Sequence, residues 1–292
     1  MYTIACIPAF NEEKNISNLI NDVSKYVDSV IVCDDGSTDD TVNEAKKSGA
    51  FVISNNKNLG KGAALKSLFN FARHSNADVI VTIDGDGQFI PEEIPKLTKD
   101  IEDGKSDIVI GYRFETEKDM PSYRKIGNRI LDELSKKASN LNLRDTQSGF
   151  RAYSKKAIEK INFTHNGFVA DSEILIDAST KDLIISEQHV TVLYDTGGRT
   201  STQNPVRHGT GVMISLLEMI LIKRPLTYLG IPGMIMSVIG IITSTFTLIS
   251  FNETGYFSIP ITLLSIFLFT IGVMLVLVSG ILFSFNRTSS SK

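Results

Sequence analysis

Val79-Ile80-Val81-Thr82-Ile83 runs straight into Asp84-Gly85-Asp86-Gly87-Gln88, and the fold is decided by how this stretch is read. The first half is a short apolar run of the kind that forms a strand buried on both faces. The second half releases two carboxylates, one residue apart, from the carboxyl end of that strand. Its glycines let the backbone turn tightly and leave room for a ligand. Two carboxylates this close repel unless a cation lies between them, and hard oxygen ligands suit Mg²⁺ or Mn²⁺. Taken alone, such a segment is more often a solvated turn. Its neighbours decide the matter.

Working outward, apolar strand candidates alternate with amphipathic helix candidates over the first 115 residues. Strands are expected at Thr3–Ile7, Ser29–Cys33, Ala50–Ser54, Asp78–Ile83 and Asp107–Ile110. Helices are expected at Glu12–Tyr26, Thr41–Ser48, Lys61–His74 and Glu92–Glu102. In the third helix Ala64, Leu65, Leu68, Phe69 and Ala72 recur at helical spacing. This order implies an α/β fold: an open, mostly parallel sheet with helices on both faces. Ligands of such sheets bind beyond the carboxyl ends of the strands, and the polar motifs cluster there. Pro8-Ala9-Phe10-Asn11-Glu12 follows strand one, Asp34-Asp35-Gly36-Ser37 ends strand two, and Asn58-Leu59-Gly60-Lys61-Gly62 opens the third helix. No G-x-G-x-x-G follows strand one, which disfavours a dinucleotide-binding dehydrogenase.

The 292 residues carry a net charge of −3, so nothing suggests nucleic acid as a partner. Cys6 and Cys33 each fall in a buried strand and read as packing thiols. No signal peptide is visible before the first strand, so the bulk of the chain is expected in the cytoplasm. Composition changes after Arg224: Pro225–Asn252 and Thr254–Asn286 contain no charged residue. Each run exceeds the ~20 apolar residues that span a bilayer. Lys223 and Arg224 precede the first span, Arg287 and Lys292 follow the second, and the short loop between them carries no Lys or Arg. The positive-inside rule then puts both ends in the cytoplasm. Val212–Lys223, with Met213, Leu216, Leu217, Ile220 and Leu221 at helical spacing, suits an interfacial helix. Gly230, Gly233 and Gly240 would let the first span pack closely. The expected organisation is a catalytic domain over 1–204, an interfacial helix over 205–224, two transmembrane helices over 225–286 and a cytoplasmic tail over 287–292.

These motifs, in this order and spacing, resemble family 2 glycosyltransferases with the GT-A fold. Gly111-Tyr112-Arg113, Arg124-Lys125-Ile126-Gly127-Asn128 and Gln147-Ser148-Gly149-Phe150-Arg151 narrow the resemblance to dolichyl- or polyprenyl-phosphate sugar synthases. The resemblance implies an inverting enzyme that moves a sugar from a UDP- or GDP-sugar to a membrane-bound lipid phosphate. It assigns donor binding to Pro8, Phe10, Glu12, Asp34, Asp35, Lys61, Asp84, Gly85 and Asp86, and metal binding to Asp84, Asp86 and Gln88. Arg113, Arg124 and Asn128 match the acceptor-phosphate positions, and Asp86, Arg113 and Arg124 carry the catalytic roles. The chain has Asn128 where the synthases often carry Ser, and Thr202 near Arg199 where a lysine is expected. These differences leave the base and the sugar open. The implied partners are a nucleotide-sugar, a polyprenyl or dolichyl phosphate and the bilayer, with Mg²⁺ or Mn²⁺ as cofactor. A homo-oligomer is compatible with this reading.

The chemistry explains the residue types. Negative charge builds on the leaving diphosphate, and a divalent cation stabilises it as a Lewis acid. A lipid phosphate is already anionic and needs no general base, only cations that fix it. A hydroxyl acceptor would need a base, and Asp171 or Glu173 on an expected helix over Val169–Thr180 could supply one. That alternative is a transferase extending a glycolipid or polysaccharide. A third is a non-catalytic membrane scaffold that keeps the fold.

Overall fold

A computed structural model describes residues 1–113, 143–167, 169–193, 221–222 and 224–289. The chain forms two compact units, residues 1–216 and 217–292.

In the first unit the strands are β1 (Thr3–Ala9), β2 (Ser29–Asp34), β3 (Phe51–Ser54), β4 (Val79–Thr82), β5 (Ile108–Tyr112), β6 (Arg151–Ser154) and β7 (Ile185–His189). They form one sheet in the order β3-β2-β1-β4-β6-β5-β7. β1 pairs in parallel with β2 and β4, β2 with β3, and β5 with β7. β6 runs antiparallel between β4 and β5. The sheet is therefore mostly parallel, as expected, with one reversed strand. β6 and β7 are absent from the expectation for a physical reason. Arg-Ala-Tyr-Ser and Ile-Ser-Glu-Gln-His lack the continuous apolar run that marks a buried strand.

Alternating side chains divide β1, β2 and β4 between two cores, the period-two rule of a strand. Ile4, Cys6, Ile31, Cys33 and Ile80 face α3 (Lys61–Arg73), which contributes Leu65, Leu68 and Phe69. Ala5, Ile7, Val30, Val32, Val79 and Val81 face α1 (Ile16–Val23) and α4 (Ile94–Glu102). Each fully buried Ile, Leu or Phe is worth about 1.5–3 kcal/mol of transfer free energy, so register is strongly fixed. Burial, reinforced by Cys33, pushes the Cys6 thiol up to about 12. Both free cysteines are buried, and they behave as apolar filler.

α1 starts four residues later than the expected Glu12. The preceding segment is tied to the β2 loop instead. Asn11, at φ 57°, donates its N–H to Ser37 Oγ and accepts the Thr38 N–H, each at 2.8 Å. The Glu12 N–H reaches Thr41 Oγ1 at 2.8 Å. These tertiary bonds outweigh helix propensity, which is a weak prior. Among the described residues this unit also contains the α-helices α2 (Thr41–Lys47), α5 (Lys155–Lys160) and α6 (Val169–Ser179).

The second unit holds α7 (Ile231–Thr254) and α8 (Ile259–Ser289). Leu226–Thr254 and Ile259–Phe285 are long and apolar enough to cross a membrane. Their packing rests on glycine. A Cβ at Gly233 would lie 2.7 Å from the Gly272 carbonyl oxygen, and one at Gly240 would lie 2.7 Å from the Phe269 nitrogen. Ser265 Oγ donates to Thr243 Oγ1 at 2.8 Å across the pair. Phe246, Leu263 and Ile281 project outward, a surface suited to hydrocarbon. Of the expected interfacial helix Val212–Lys223, only residues 221–222 are described.

Candidate active site

The motif loops meet at the carboxyl ends of β1, β2 and β4. The β1 and β4 loops are in contact, since a Cβ at Gly85 would lie 3.1 Å from the Pro8 carbonyl oxygen. Asn15 bridges the same loops, donating to Glu12 Oε2 at 3.4 Å and to the Asp86 carbonyl at 3.3 Å. Pro8, Phe10 and Glu12 are half-buried at this opening. Asp34 accepts the Ser37 N–H at 3.1 Å. Asp35 accepts the N–H groups of Gly60 (2.6 Å) and Leu59 (3.1 Å) and the Asn55 side-chain amide (2.8 Å). Its carboxylate thus fastens the loop that opens α3 beneath the β2 loop. Gly36, at φ +75°, takes a conformation that disfavours other residues, and a Cβ there would strike the Lys57 backbone.

Lys61, the first residue of α3, stands between two carboxylates. Its Nζ lies 2.8 Å from Asp84 Oδ1 and 3.0 Å from Asp171 Oδ2. Burial alone works to lower the lysine pKa, but Asp171 and Asp84 together hold it above its ordinary value. Asp171 is backed in turn by the fully buried Arg151. That guanidinium donates to the Asp171 carbonyl at 2.9 Å and to the Thr146 carbonyl at 2.8 Å, and it approaches Asp171 Oδ1 at 4.0 Å. A Cβ at Gly149 would collide with the Asp84 carboxylate. Gly149 is held there by its carbonyl, which accepts the Thr82 hydroxyl at 3.0 Å. The glycine of Gln147-Ser148-Gly149-Phe150-Arg151 therefore makes the space that Asp84 occupies.

Asp86, two positions beyond Asp84, has its carboxyl raised above the ordinary value. Burial and then the neighbouring Asp84 push it up to about 6, against the Gln88 N–H bond at 3.0 Å and the more distant Lys61 and Arg113. Glu12 is lifted to about 7, first by burial and then by Asp86. Asp84 and Asp86 offer hard oxygen atoms, and among the described residues no cluster of three or more His, Cys, Asp or Glu could hold a metal ion by itself. Two carboxylates fit a divalent ion that completes its shell with diphosphate oxygen atoms and water. Gln88 enters this site through its backbone, donating to Asp86 and accepting the Leu193 N–H at 2.9 Å.

Arg113 follows β5 and is gripped from one side. Its Nε and Nη2 donate to the two carboxylate oxygens of Asp145 at 2.6 and 2.9 Å. On α6, Glu173 accepts the N–H groups of Thr164 (3.0 Å) and His165 (2.9 Å) and lies 2.8 Å from His165 Nδ1. These bonds hold it below its usual range despite burial. Arg124, Asn128, Arg199, Thr202 and His208 lie outside the described residues. The site thus brings together Glu12, Asp84, Asp86, Lys61 and Arg113. Sequence reading assigns no role to Asn15 or Asp145, and it includes Arg151 only as the last residue of the Gln147–Arg151 motif. The signal that could have pointed to Asp145 is its position two residues before that motif.

A family profile described as "Glycosyl transferase family 2" matches residues 4–162. The chain is 31% identical over 231 residues to the UDP-N-acetylglucosamine–dolichyl-phosphate N-acetylglucosaminyltransferase of Methanococcus voltae, covering 71% of this chain and 89% of that one. It is 29% identical over 218 residues to the dolichyl-phosphate hexose transferase of Haloferax volcanii, covering 74% and 92%. Among solved structures it is similar to glucosyl-3-phosphoglycerate synthase from Mycobacterium tuberculosis in complex with Mn²⁺, UDP-glucose and phosphoglyceric acid. That likeness has a TM-score of 0.57 at 25% identity and covers 75% of this chain and 79% of the other.

Proposed function

Since the chain belongs to glycosyl transferase family 2, we propose that it moves a sugar from a nucleoside-diphosphate donor to a polyprenyl phosphate, with inversion at the anomeric carbon. Two relatives named for dolichyl-phosphate transfer support the acceptor class. The observation that carries it is the state of α6. Asp171 is committed to Lys61, and Glu173 to Thr164 and His165. Neither carboxylate is set to take a proton from a hydroxyl, whereas a lipid phosphate needs no proton removed.

In the proposed mechanism Pro8, Phe10, Glu12 and Asp34 line the nucleoside pocket, and Asp35 and Gly85 shape it. Asp84 and Asp86, with Gln88 beside them, would hold Mg²⁺ or Mn²⁺. The bound ion would supply Lewis-acid stabilisation of the departing diphosphate. Lys61 neutralises Asp84, so the pair can stand beside a donor that carries its own negative charge. Arg113 and Arg124, with Asn128, orient the acceptor phosphate. A phosphate oxygen attacks the anomeric carbon, the bond to the β-phosphate oxygen breaks, and the nucleoside diphosphate leaves. The two apolar helices suit a long prenyl tail, which leaves the bilayer only at ~0.8 kcal/mol per exposed CH₂. Residues 1–204 would face the cytoplasm, with 205–224 lying at the interface and 287–292 as the tail. Lys223, Arg224 and Arg287 on the same side support that orientation.

The test is to incubate the purified chain with UDP- and GDP-sugars, Mn²⁺ and dolichyl or undecaprenyl phosphate. Lipid-linked sugar should form with at least one donor, and Asp86→Ala should abolish it. Transfer only to a hydroxyl acceptor would overturn the proposal.

A further inference from the structure

Arg144-Asp145 precedes the Gln147–Arg151 motif and is built into the end of the sheet by contacts unrelated to metal or nucleoside binding. The pairs alternate. Arg144 lies over the Tyr112 ring at 4.7 Å and donates to its hydroxyl at 2.8 Å. The next residue, Asp145, takes the fork of the next residue on β5's exit, Arg113. The backbone is pinned as well, since Glu187 Oε1 on β7 accepts the N–H groups of Arg144 (2.7 Å) and Asp145 (3.3 Å). The Asp145 side chain is 0% exposed, while that of Arg113 is 19% exposed.

A buried carboxylate is costly unless it is paired, and its removal leaves the partner charge stranded. The bidentate fork does more than neutralise. It fixes the plane of the guanidinium, which a single contact would leave free to turn. Arg113 also acts electrostatically on Asp86, working to lower its pKa. An arginine already oriented loses less freedom when a phosphate arrives.

We propose that Asp145 is a positioning residue, which acts through Arg113 by holding its guanidinium in the orientation that receives the acceptor phosphate. This rests on the acceptor role proposed for Arg113. The competing account is a purely structural ion pair that joins residues 113 and 145 across the fold.

Steady-state kinetics of the full chain separate the two, with undecaprenyl phosphate varied at saturating donor and then the reverse. Asp145→Asn keeps the shape of the side chain but not the charged fork. It should raise KM for the lipid phosphate by about tenfold or more, the scale seen when the orienting partner of a ligating group is removed. KM for the donor should stay within about twofold of the parent, and Asp145→Glu should recover part of the loss. In the Arg113→Ala background, adding Asp145→Asn should cost nothing further, because a residue that acts through another is silent once the other is gone. Additive effects in that cycle would overturn the proposal. So would a fall in kcat and thermal midpoint with both KM values unchanged, which is the signature of a structural pair. If Arg113→Ala itself leaves the lipid KM unchanged, the acceptor role of Arg113 fails. The cycle, read in whichever constant Arg113→Ala does move, still decides whether Asp145 acts through it.

Discussion

Lys61 shows how a single residue acquires its role. Its sequence context, a Gly-rich helix start, is that of a phosphate-binding loop. In the fold its ammonium is instead spent between Asp84 and Asp171. Lys61 thus pairs with Asp84, while burial and neighbouring carboxylates raise Asp86 to about 6 and Glu12 to about 7. The sign for Glu12 follows directly. Its folded pKa of about 7 lies above the ordinary 4.5, so the folded chain binds the proton more tightly than the unfolded one. That contribution to stability is complete below pH 4.5 and is lost as pH rises through about 7. Solvent screening of this half-buried group reduces the effect. With EDTA present, Glu12→Gln should flatten the decline of thermal midpoint between pH 5 and pH 8, two values chosen to bracket the loss. An unchanged slope would show that Glu12 is not the group responsible.

Among the elements, α1 and the hairpin of α7 and α8 teach opposite lessons. The expected helix start at Glu12 lies four residues before the observed one at Ile16, because Asn11 and Glu12 bond to Ser37, Thr38 and Thr41. A local preference gives way because several hydrogen bonds of about 1 kcal/mol each outweigh propensities below that. The glycines of the first span are legible in sequence as small, and their partner Gly272 emerges only when the helices meet. Gly233→Leu would place its side chain against the Gly272 carbonyl, an overpacking of typically 1–3 kcal/mol. Cysteines placed at Thr243 and Ser265, in a background with Cys6 and Cys33 replaced, should crosslink rapidly. Gly233→Leu should slow that reaction several-fold; an equal rate would count against packing through the glycines.

At the scale of the molecule, one chain joins a glycosyltransferase sheet to two helices whose outer faces are mostly apolar. A surface carrying Phe246, Leu263 and Ile281 far exceeds the apolar patch that a water-soluble monomer tolerates. The expressed chain should stay with membranes through an alkaline carbonate wash and float with liposomes. Release into the wash would show that the helices do not span.

The sequence by itself determined the alternation of strands and helices, the motif at each strand end, the family and the two apolar spans. Each of these is written in local periodicity or in the length of an uncharged run, which neighbouring residues encode without help. Only the tertiary structure decided which charges meet. Lys61 finds Asp171, 110 positions away (171 minus 61), and Arg113 finds Asp145. Gly149 clears the space for Asp84, and Arg151 lies buried beneath Asp171. Ion pairs of this kind depend on distances set by sheet order and by the reversal of β6, and no spacing along the chain records them. Sequence thus placed Asp84 and Asp86 at one strand end, and the fold decided that Asp84 is the one paired with Lys61.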